Sequence, residues 1–507
     1  MNMRIKILFI ILLFSGSIYA QNAGIIFPRA FAFAMDDMGW NIGNDDGDID
    51  GKGPYRIGID RKMDIHDYEA IVAVGKVVGV RIQGLFVMAE MDRENILAKY
   101  PSTTWQGSNW DNSKNICKEQ IDIMNYVREN AAYLEFGLHG VGHERWINGE
   151  KKRAEWYCQQ DDHPWPEDSV KKDIQCFKDI MSQYGLSAEE GHSFPESFVP
   201  CAYGYYWNPE GEYSTGSVMS EAGVKYVNTL FDYIRELNPP AEPNGGGFDN
   251  GVVVVNRINY GNEWYALSSL PTIDIAEQES DIIESHWSNW LAQDAFLQEE
   301  LNNKWIEYYK MVQATPDRYI AKNTEQLYSQ WLYKKYAQVH ESKNGQVEID
   351  NRNMPAEYYE HNLLGNMVLK VKLAEGQHVS MASLNNEPVA CYFEEAGYGF
   401  LYLPRLDQEL YILNYTLSPK IMPFFVFNDG TYNLYAITES ENQKSLRVKV
   451  YGSQEIKIFC ADPKFIESEN TNLKIVGSNY NKDTGMLAIQ VNAHDIQGEE
   501  GLLNLNY

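Results

Sequence analysis

The chain has 507 residues, of which 44% are hydrophobic, and this content excludes a disordered polypeptide. Because single cores stop growing near about 250–300 residues, the length indicates two or more domains. The formal net charge of −28 excludes a basic binding surface, so we expect no nucleic-acid or anionic-membrane partner, and a neutral or cationic substrate fits better.

Residues 1–20 have the pattern of a secretory signal peptide. Arg4 and Lys6 precede an apolar stretch, and small residues lead to Ala20, after which we expect cleavage. We therefore expect a periplasmic or secreted protein, with no lipid anchor and no membrane span. The six cysteines are far apart, and their spacing assigns no disulfide.

Residues 21–345 alternate short β-rich runs with helical patterns. The predicted strands are Gly24–Met35, Val80–Met88, Tyr133–His139, Ser197–Pro200, Val224–Asn228, Gly251–Asn256 and Asp281–His286, with helices over 67–79, 118–130 and 169–185. Such alternation predicts right-handed βαβ units around a parallel sheet or barrel. Seven strands favour a (β/α) barrel.

The pattern changes near residue 345, after which alternating segments indicate a second domain over 346–507. These segments predict an all-β fold, most simply a β-sandwich accessory domain. Asn428-Asp429-Gly430 is a tight-turn signal between two of its strands.

Three of the predicted strands end on reactive side chains. The first ends on Asp36 and Asp37, the third leads into His139 and His143, and the seventh ends on His286. In a (β/α) barrel these ends share one opening. The His-x3-His spacing can bind one divalent ion, and zinc sites commonly use three protein ligands with a position left for water.

Two adjacent carboxylates at such a site can have separate roles. One of Asp36 and Asp37 would complete the ligand set with the two histidines, while the other would accept a proton from water. Zinc is the default ion for this ligand type, although other divalent metals are accepted. A cation beside the pair also offsets the cost of placing two like charges together.

The motifs "AMDD", "HGVGH", "FVPCAYG" and "IIESH", in this order, resemble those of the polysaccharide deacetylase superfamily. The resemblance covers about residues 25–340 and implies metal-dependent carbohydrate esterase activity on a deformed barrel of about seven strands. It implies these roles: Asp36 as base, Asp37, His139 and His143 as metal ligands, His286 as acid, and backbone N–H groups near Cys201–Tyr203 for the oxyanion.

One position departs from the family pattern. The family usually has an arginine ahead of the motif proline, where it pairs with the base, whereas Val199 precedes Pro200 here. Arg145 or Arg257 is a candidate replacement from another loop. Without a cationic partner, Asp36 would have a different pKa.

Aromatic side chains beside the motifs indicate a carbohydrate cleft, because flat rings suit the apolar face of a sugar. The predicted substrate-binding residues are Trp40, Trp146, Pro200, Tyr203 and Trp287. In the C-terminal region, packing in the β domain is the favoured role for Tyr392, Tyr398 and Tyr402.

Two further features have simpler interpretations. The stretch Asp46–Gly51 resembles a calcium loop but has Ile57 where an EF-hand needs glutamate, so a solvated acidic loop is favoured and Ca²⁺ is the alternative. His163 and His192 have no partner at ligand spacing, and we interpret both as surface or structural histidines, with His66 at a helix start.

The sequence thus predicts a metal-dependent hydrolase that removes an N- or O-acetyl group from a carbohydrate. Two alternatives stay open: amide or glycoside hydrolysis on the same site, and a carbohydrate-binding protein without catalysis.

Overall fold

The structure, a computed structural model, describes residues 24–41, 61–116, 118–233, 242–264, 266–342, 346–470 and 472–507. The predicted signal peptide, the acidic loop Asp46–Gly51 and Cys117 lie outside the described residues.

Up to residue 342 the chain alternates strands and helices. In chain order they are β1 (Ile25–Ile26), β2 (Arg29–Met38), α1 (Ile65–Val78), β3 (Ile82–Val87), α2 (Lys118–Glu129), β4 (Leu134–Gly140), β5 (Arg145–Ile147), β6 (Glu150–Lys152), β7 (Tyr157–Cys158), β8 (His163–Pro164), α3 (Glu167–Ser182), β9 (Ser197–Phe198), α4 (Thr215–Ala222), β10 (Tyr226–Thr229), β11 (Gly246–Asp249), β12 (Val252–Asn256), β13 (Ile282–His286), α5 (Gln298–Ala314), β14 (Arg318–Ile320), α6 (Thr324–Tyr336) and β15 (Gln338–Glu341).

Each of the seven predicted strands and three predicted helices overlaps an observed element of the same type. The first strand differs most, because the chain breaks at Pro28 into β1 and β2. The sequence pattern missed α4, α5 and α6. Of these, α6 is buried on nearly all sides and has no exposed polar face to mark its period.

Eight strands form a curled sheet in the order β11-β12-β10-β9-β4-β3-β2-β13, and β14 also pairs with β2. All neighbours except β11 and β12 run parallel. Strands β3, β4 and β12 are buried along their whole length, as parallel strands covered on both faces should be. The sheet is a half barrel; beyond it, a single bridge between Ile258 and Ile283 links the segment after β12 to β13.

Helix α1 shows how local sequence sets an element boundary. The Asp64 carboxylate accepts the N–H of His66, while the Asp67 carboxylate accepts the N–H of Asp64, so the two acids cap the first turn reciprocally. His66 lies in the first turn of the helix, which agrees with the prediction, and Gly79 ends the helix in the left-handed conformation at φ 64°.

From residue 346 the chain is β-rich with one short helix. The elements are β16 (Gln346–Asp350), α7 (Glu357–Glu360), β17 (Met367–Lys372), β18 (His378–Leu384), β19 (Glu387–Pro388), β20 (Cys391–Glu395), β21 (Tyr398–Leu403), β22 (Leu410–Ser418), β23 (Phe425–Phe427), β24 (Asn433–Ser440), β25 (Gln443–Val450), β26 (Ser453–Phe459), β27 (Phe465–Ser468), β28 (Leu473–Asn481), β29 (Met486–Ala493) and β30 (Glu499–Asn506). Tyr392, Tyr398 and Tyr402 are buried among them, which agrees with a packing role.

These strands form three sheets rather than one hairpin series. Their orders are β1-β17-β21-β20-β23-β26-β29-β28, β15-β16-β22-β18-β19 and β24-β25-β30-β27. One continuous hydrophobic cluster joins residues from all three.

Asn428-Asp429-Gly430 lies between two strands, as predicted, but these strands do not pair with each other as a hairpin. Strand β23 pairs with β20 and β26, whereas β24 pairs with β25, so the chain changes sheets at this turn. Two long-range contacts hold the segment where the chain changes sheets. The Asp429 carboxylate accepts from Lys457 Nζ at 2.6 Å, and the Thr431 hydroxyl donates to the Ala132 carbonyl at 2.7 Å. Turn propensity alone does not report such contacts.

The β-rich region and the curled sheet are packed together. Strand β1 pairs with β17, and the Gln330 side chain of α6 donates to the carbonyls of Pro28 and Val368. Lys449 of β25 donates to the Glu196 carboxylate at 2.6 Å. The start of the described chain therefore belongs to a sheet of the C-terminal region.

Within the described residues, no helix is long and apolar enough to cross a membrane. The five cysteines in that part of the chain, Cys158, Cys176, Cys201, Cys391 and Cys460, are free thiols.

Candidate metal centre

Asp36 and Asp37 lie at the carboxyl end of β2, where the pairing with β3 is irregular. The register shifts between Met35 and Met38, and Asp37 has a left-handed backbone at φ 67°. Successive residues of a regular strand point to opposite faces, and a bulge re-aims its side chains. This bulge gives two adjacent aspartates different partners at one edge of the sheet.

His139 lies at the corresponding end of β4, at a second irregularity. Phe86 of β3 is paired with Leu138 of β4, and the next residue, Val87, is paired with Gly140. His139 is therefore an extra, unpaired residue in β4. Its Nδ1 lies 2.7 Å from the Val199 carbonyl, which assigns the proton to Nδ1 and leaves Nε2 with a free lone pair.

His143 follows in a tight loop with φ 65°. Its Nδ1 lies 3.1 Å from the Glu144 carboxylate, and that carboxylate also accepts from Arg153 at 2.6 Å. The Nε2 atom of His143 is again the free nitrogen. A second partner that fixes the tautomer of an imidazole is typical of metal-ligating histidines.

Asp37 lies close to both His139 and His143, and these three residues are called the strand-end group. Asp37 Oδ1 lies 3.3 Å from Nε2 of His139 and 3.9 Å from Nε2 of His143. Although Oδ1 is buried, no hydrogen bond reaches it from the described residues. Ligands at about 2.0–2.1 Å around one tetrahedral ion are about 3.3 Å apart, so the separations fit a shared ion.

The electrostatics of this group favour charged forms. Burial acts to raise the pKa of Asp37, but the two imidazoles outweigh it and hold that pKa well below its usual range. Burial likewise acts to lower the pKa of His139, yet Asp36 and Asp37 raise it. The cluster therefore attracts a proton, or another cation, to the space between its members.

Cys201 is an alternative ligand close to the same histidines. The side chains of His139, His143 and Cys201 each offer a ligand atom within 4.8 Å of the others. Burial raises the pKa of the Cys201 thiol well above its usual value, and its sulfur lies 3.2 Å from the His139 carbonyl. The thiol thus already has an acceptor for its proton.

Arg257 is the cationic partner of Asp36. Its Nη1 and Nη2 donate to the two oxygens of the Asp36 carboxylate at 2.8 and 2.5 Å, and both side chains are buried. Burial acts to raise the pKa of Asp36, whereas Arg257 lowers it, and the net direction is down. Arg145, the other candidate, instead contacts Asp173 and the Glu155 carbonyl.

His286 stands beside Asp36 because β13 pairs in register with β2, with His286 opposite Asp36. Its Nε2 is 4.0 Å from the Asp36 carboxylate, and its Nδ1 is 3.9 Å from Glu284. Glu284 is buried and accepts from the Tyr203 hydroxyl at 2.7 Å. The structure thus brings Asp36, Arg257, Glu284 and His286 together next to the strand-end group.

The predicted substrate-binding residues divide by exposure. Trp40 and Trp287 are each 2% exposed, and the Trp287 ring packs 4.8 Å from Tyr68, so neither has a face open to a ligand. Pro200 is buried too. Trp146 and Tyr203 are half-buried and retain accessible ring surface.

Sequence reasoning missed three carboxylates around the site: Glu144, Glu155 and Glu284. Glu144 and Glu284 each lie two residues or fewer from a predicted site histidine, so their motifs carried a signal. Glu155 had none, because it reaches the His139–His143 loop from a later segment.

A second set of ligand-type side chains lies on the β7–β8 hairpin. Cys158, Asp161 and His163, the hairpin group, offer ligand atoms within 4.8 Å of one another. Cys158 is buried, whereas Asp161 and His163 are exposed, and Lys152 Nζ lies 3.8 Å from the Asp161 carboxylate. His163, for which the sequence indicated no partner at ligand spacing, therefore lies near two other ligand-type side chains.

Neither a family model nor a curated protein matches the chain.

Proposed function

We propose that this protein is a metal-dependent hydrolase that removes acetyl groups from a carbohydrate. The observation that carries the proposal is the Asp37 Oδ1 atom, buried and without a hydrogen bond from the described residues, between the free Nε2 atoms of His139 and His143. A buried carboxylate oxygen without a donor is costly unless a cation occupies the space in front of it.

Asp37, His139 and His143 would hold the ion. Their donor set, two imidazoles and one carboxylate, suits zinc first and other divalent first-row metals next. We favour Asp37 over Cys201 as the third ligand because the buried Oδ1 of Asp37 has no donor among the described residues, whereas the Cys201 thiol already donates to the His139 carbonyl. A divalent ion supplies Lewis acidity for a carbonyl and makes a nearby water easier to deprotonate.

Asp36 is the proposed base. The bidentate contact with Arg257 keeps its carboxylate ionised and fixes its orientation, while each oxygen retains a lone pair for an incoming proton. His286, beside Asp36, is the proposed acid that gives a proton to the departing sugar nitrogen or oxygen.

Backbone groups of the 201–203 turn are proposed to stabilise the oxyanion. The N–H of Tyr203 donates to the Pro200 carbonyl at 3.1 Å and is therefore engaged. The N–H groups of Cys201 and Ala202 are the better candidates. Ala202 and Tyr203 in this turn both have a left-handed backbone conformation, at φ 50° and 62°.

A carbohydrate substrate is supported by two features. The strongly negative chain favours a neutral ligand over an anionic one. The Tyr203 ring also packs against Tyr233 at a tilt of 38°, with ring centroids 4.7 Å apart. Tyr233 is 63% exposed, and this pair with Trp146 offers aromatic surface near the site. The resemblance of the motifs to polysaccharide deacetylases points to an acetylated glycan and, with the predicted leader, to an exported enzyme.

Acetate release tests the proposal. The purified protein, loaded with zinc, cobalt or nickel, is incubated with N-acetylated and O-acetylated oligosaccharides, with Asp36→Asn as the matched inactive control. We expect acetate from the wild type alone. New reducing ends without acetate would show glycoside cleavage instead, and glycan binding without turnover in any ion would show a binding protein.

A further inference from the structure

The loop that carries His143 directs three consecutive backbone N–H groups at one carboxylate. Val141 N lies 2.9 and 3.0 Å from the two oxygens of Glu155, Gly142 N lies 2.9 Å from Oε2, and His143 N lies 2.8 Å from the same Oε2. Successive N–H groups around one anion form a nest. Here the anion is a side chain of the protein.

The two glycines of His-Gly-Val-Gly-His make room for this arrangement. A Cβ atom on Gly140 would lie 2.6 Å from Glu155 Oε2, and one on Gly142 would lie 1.9 Å from the Thr103 carbonyl oxygen. Neither side chain could be added without moving the backbone. The glycine spacing of this motif is therefore explained by Glu155 and Thr103.

The Glu155 segment holds both histidines. The backbone N–H of Glu155 donates to the His143 carbonyl at 3.0 Å, while the Glu155 carboxylate accepts from the backbone N–H of His143. The indole N–H of Trp156 donates to the His139 carbonyl at 2.7 Å. Both residues are fully buried, so this clamp is not exchanged for water.

We propose that Glu155 is a positioning residue that sets the His139–His143 loop in its ion-binding shape before any ion arrives. The inference rests on the proposed function, because it concerns the same ion site. Glu155 does not face the ion, since its oxygens are engaged by the loop N–H groups. It acts through His143, whose left-handed backbone at φ 65° needs support from its surroundings.

Glu155 can bind the loop N–H groups in either protonation state. Burial and the nearby Asp173 raise its pKa, and the backbone N–H groups oppose that rise. In either state Oε2 remains an acceptor for the N–H groups of Gly142 and His143.

A graded pair of variants tests the role. The side chain of Glu155→Gln keeps one acceptor oxygen. The side chain of Glu155→Met is of similar length but has no acceptor oxygen. We expect the dissociation constant for zinc to rise about 10-fold in Glu155→Gln and about 100-fold in Glu155→Met, within the range known for outer-shell partners of metal ligands. Turnover at saturating zinc should recover largely in Glu155→Gln.

Glu196→Gln is the matched control, because it changes another internal carboxylate, whose side chain is paired with Lys225 and Lys449 and not with the loop N–H groups. Its zinc affinity should stay at the wild-type value even though its stability falls. Wild-type zinc affinity in both Glu155 variants, with binding lost in His143→Ala, would overturn the inference. A wild type that binds no ion would contradict the proposed function instead.

Hydrogen exchange of the metal-free wild type provides a test that needs no variant. We expect slow exchange in peptides that contain the amides of 141–143, because Glu155 already binds them without an ion. Exchange at unprotected rates, followed by protection only on zinc addition, would show that the ion orders the loop and would overturn the inference.

Discussion

The strand-end group and the hairpin group each bring three ligand-type side chains close together, yet their surroundings differ. The strand-end group comes from two strands of the curled sheet, and both of its histidines have a second partner on Nδ1. In the hairpin group two of three members are exposed, and Lys152 already lies near Asp161.

The two groups differ in how firmly their members are held as well as in ligand type. In the strand-end group a buried oxygen lacks a donor among the described residues, and the loops around it are fixed by buried hydrogen bonds. In the hairpin group water and Lys152 can satisfy the polar atoms. We therefore expect tight ion binding at the first group only, and the following experiments test this contrast.

The largest effect is expected from removing a ligand. His143→Ala should lower zinc affinity by more than about 100-fold, beyond the effect of an outer-shell partner, whereas His163→Ala should keep the wild-type content of one ion per chain. Metal content after dialysis, measured by mass spectrometry, checks both. Retained zinc in His143→Ala, or lost zinc in His163→Ala, would reverse the assignment.

Asp36→Asn should separate binding from turnover within the strand-end site. The amide cannot accept the proton that a base must take, so turnover should fall by about 10²–10⁴-fold while zinc affinity is largely kept. Acetate release and metal content are measured on the same preparation. Unchanged turnover would remove Asp36 as the base.

Arg257→Met tests the buried ion pair behind that base. The carboxylate of Asp36 would be left buried without its partner, and the free energy of unfolding should fall by about 3–5 kcal/mol. Urea denaturation monitored by tryptophan fluorescence measures the change. A fall below about 1 kcal/mol would mean that Arg257 does not stabilise the site.

The corresponding change in the hairpin group should be small. Lys152→Ala removes a cation 3.8 Å from Asp161, but both side chains are partly exposed to water. We expect the free energy of unfolding to fall by less than about 1 kcal/mol in the same denaturation experiment. A loss as large as that of Arg257→Met would show that the hairpin is supported as firmly as the strand ends.

The smallest effect concerns a buried histidine outside both groups. Burial lowers the pKa of His192 below its ordinary value of 6.5, and its Nδ1 accepts the N–H of Ile496, which requires the neutral ring. The charged or titratable groups that face it are Asp495, His494, Arg128 and Glu190.

Because the unfolded chain binds the proton more readily than folded His192, stability should fall as pH drops below about 6.5. His192→Gln should show a smaller loss of melting temperature between about pH 7.5 and pH 5.5 than the wild type. His163→Gln, an exposed control, should leave the loss unchanged. An equal loss in His192→Gln and wild type would contradict the role of His192.

Strand patterns and motif spacing predicted much of this molecule. Each of the runs that end on Asp36, His139 and His286 becomes a strand of the curled sheet, because its apolar residues can be buried on both faces. The change of sheet at Asn428-Asp429-Gly430 could not be predicted in this way, since a turn signal does not say which sheet the next strand joins. The same holds for Trp40 and Trp287. The sequence shows that they lie beside the motifs, but it does not show that packing buries both rings.

The sequence by itself determined the residue types of the site and the strands that present them, since both are local properties of the chain. Only the tertiary structure decided their partners. Arg257 reaches Asp36 across 221 positions, and Glu155 reaches the His143 loop from another segment, because contacts between distant segments depend on how the sheet curls and not on any spacing along the chain. Val199, where an arginine was expected, is buried, and the guanidinium that Asp36 needs comes from the end of β12 instead.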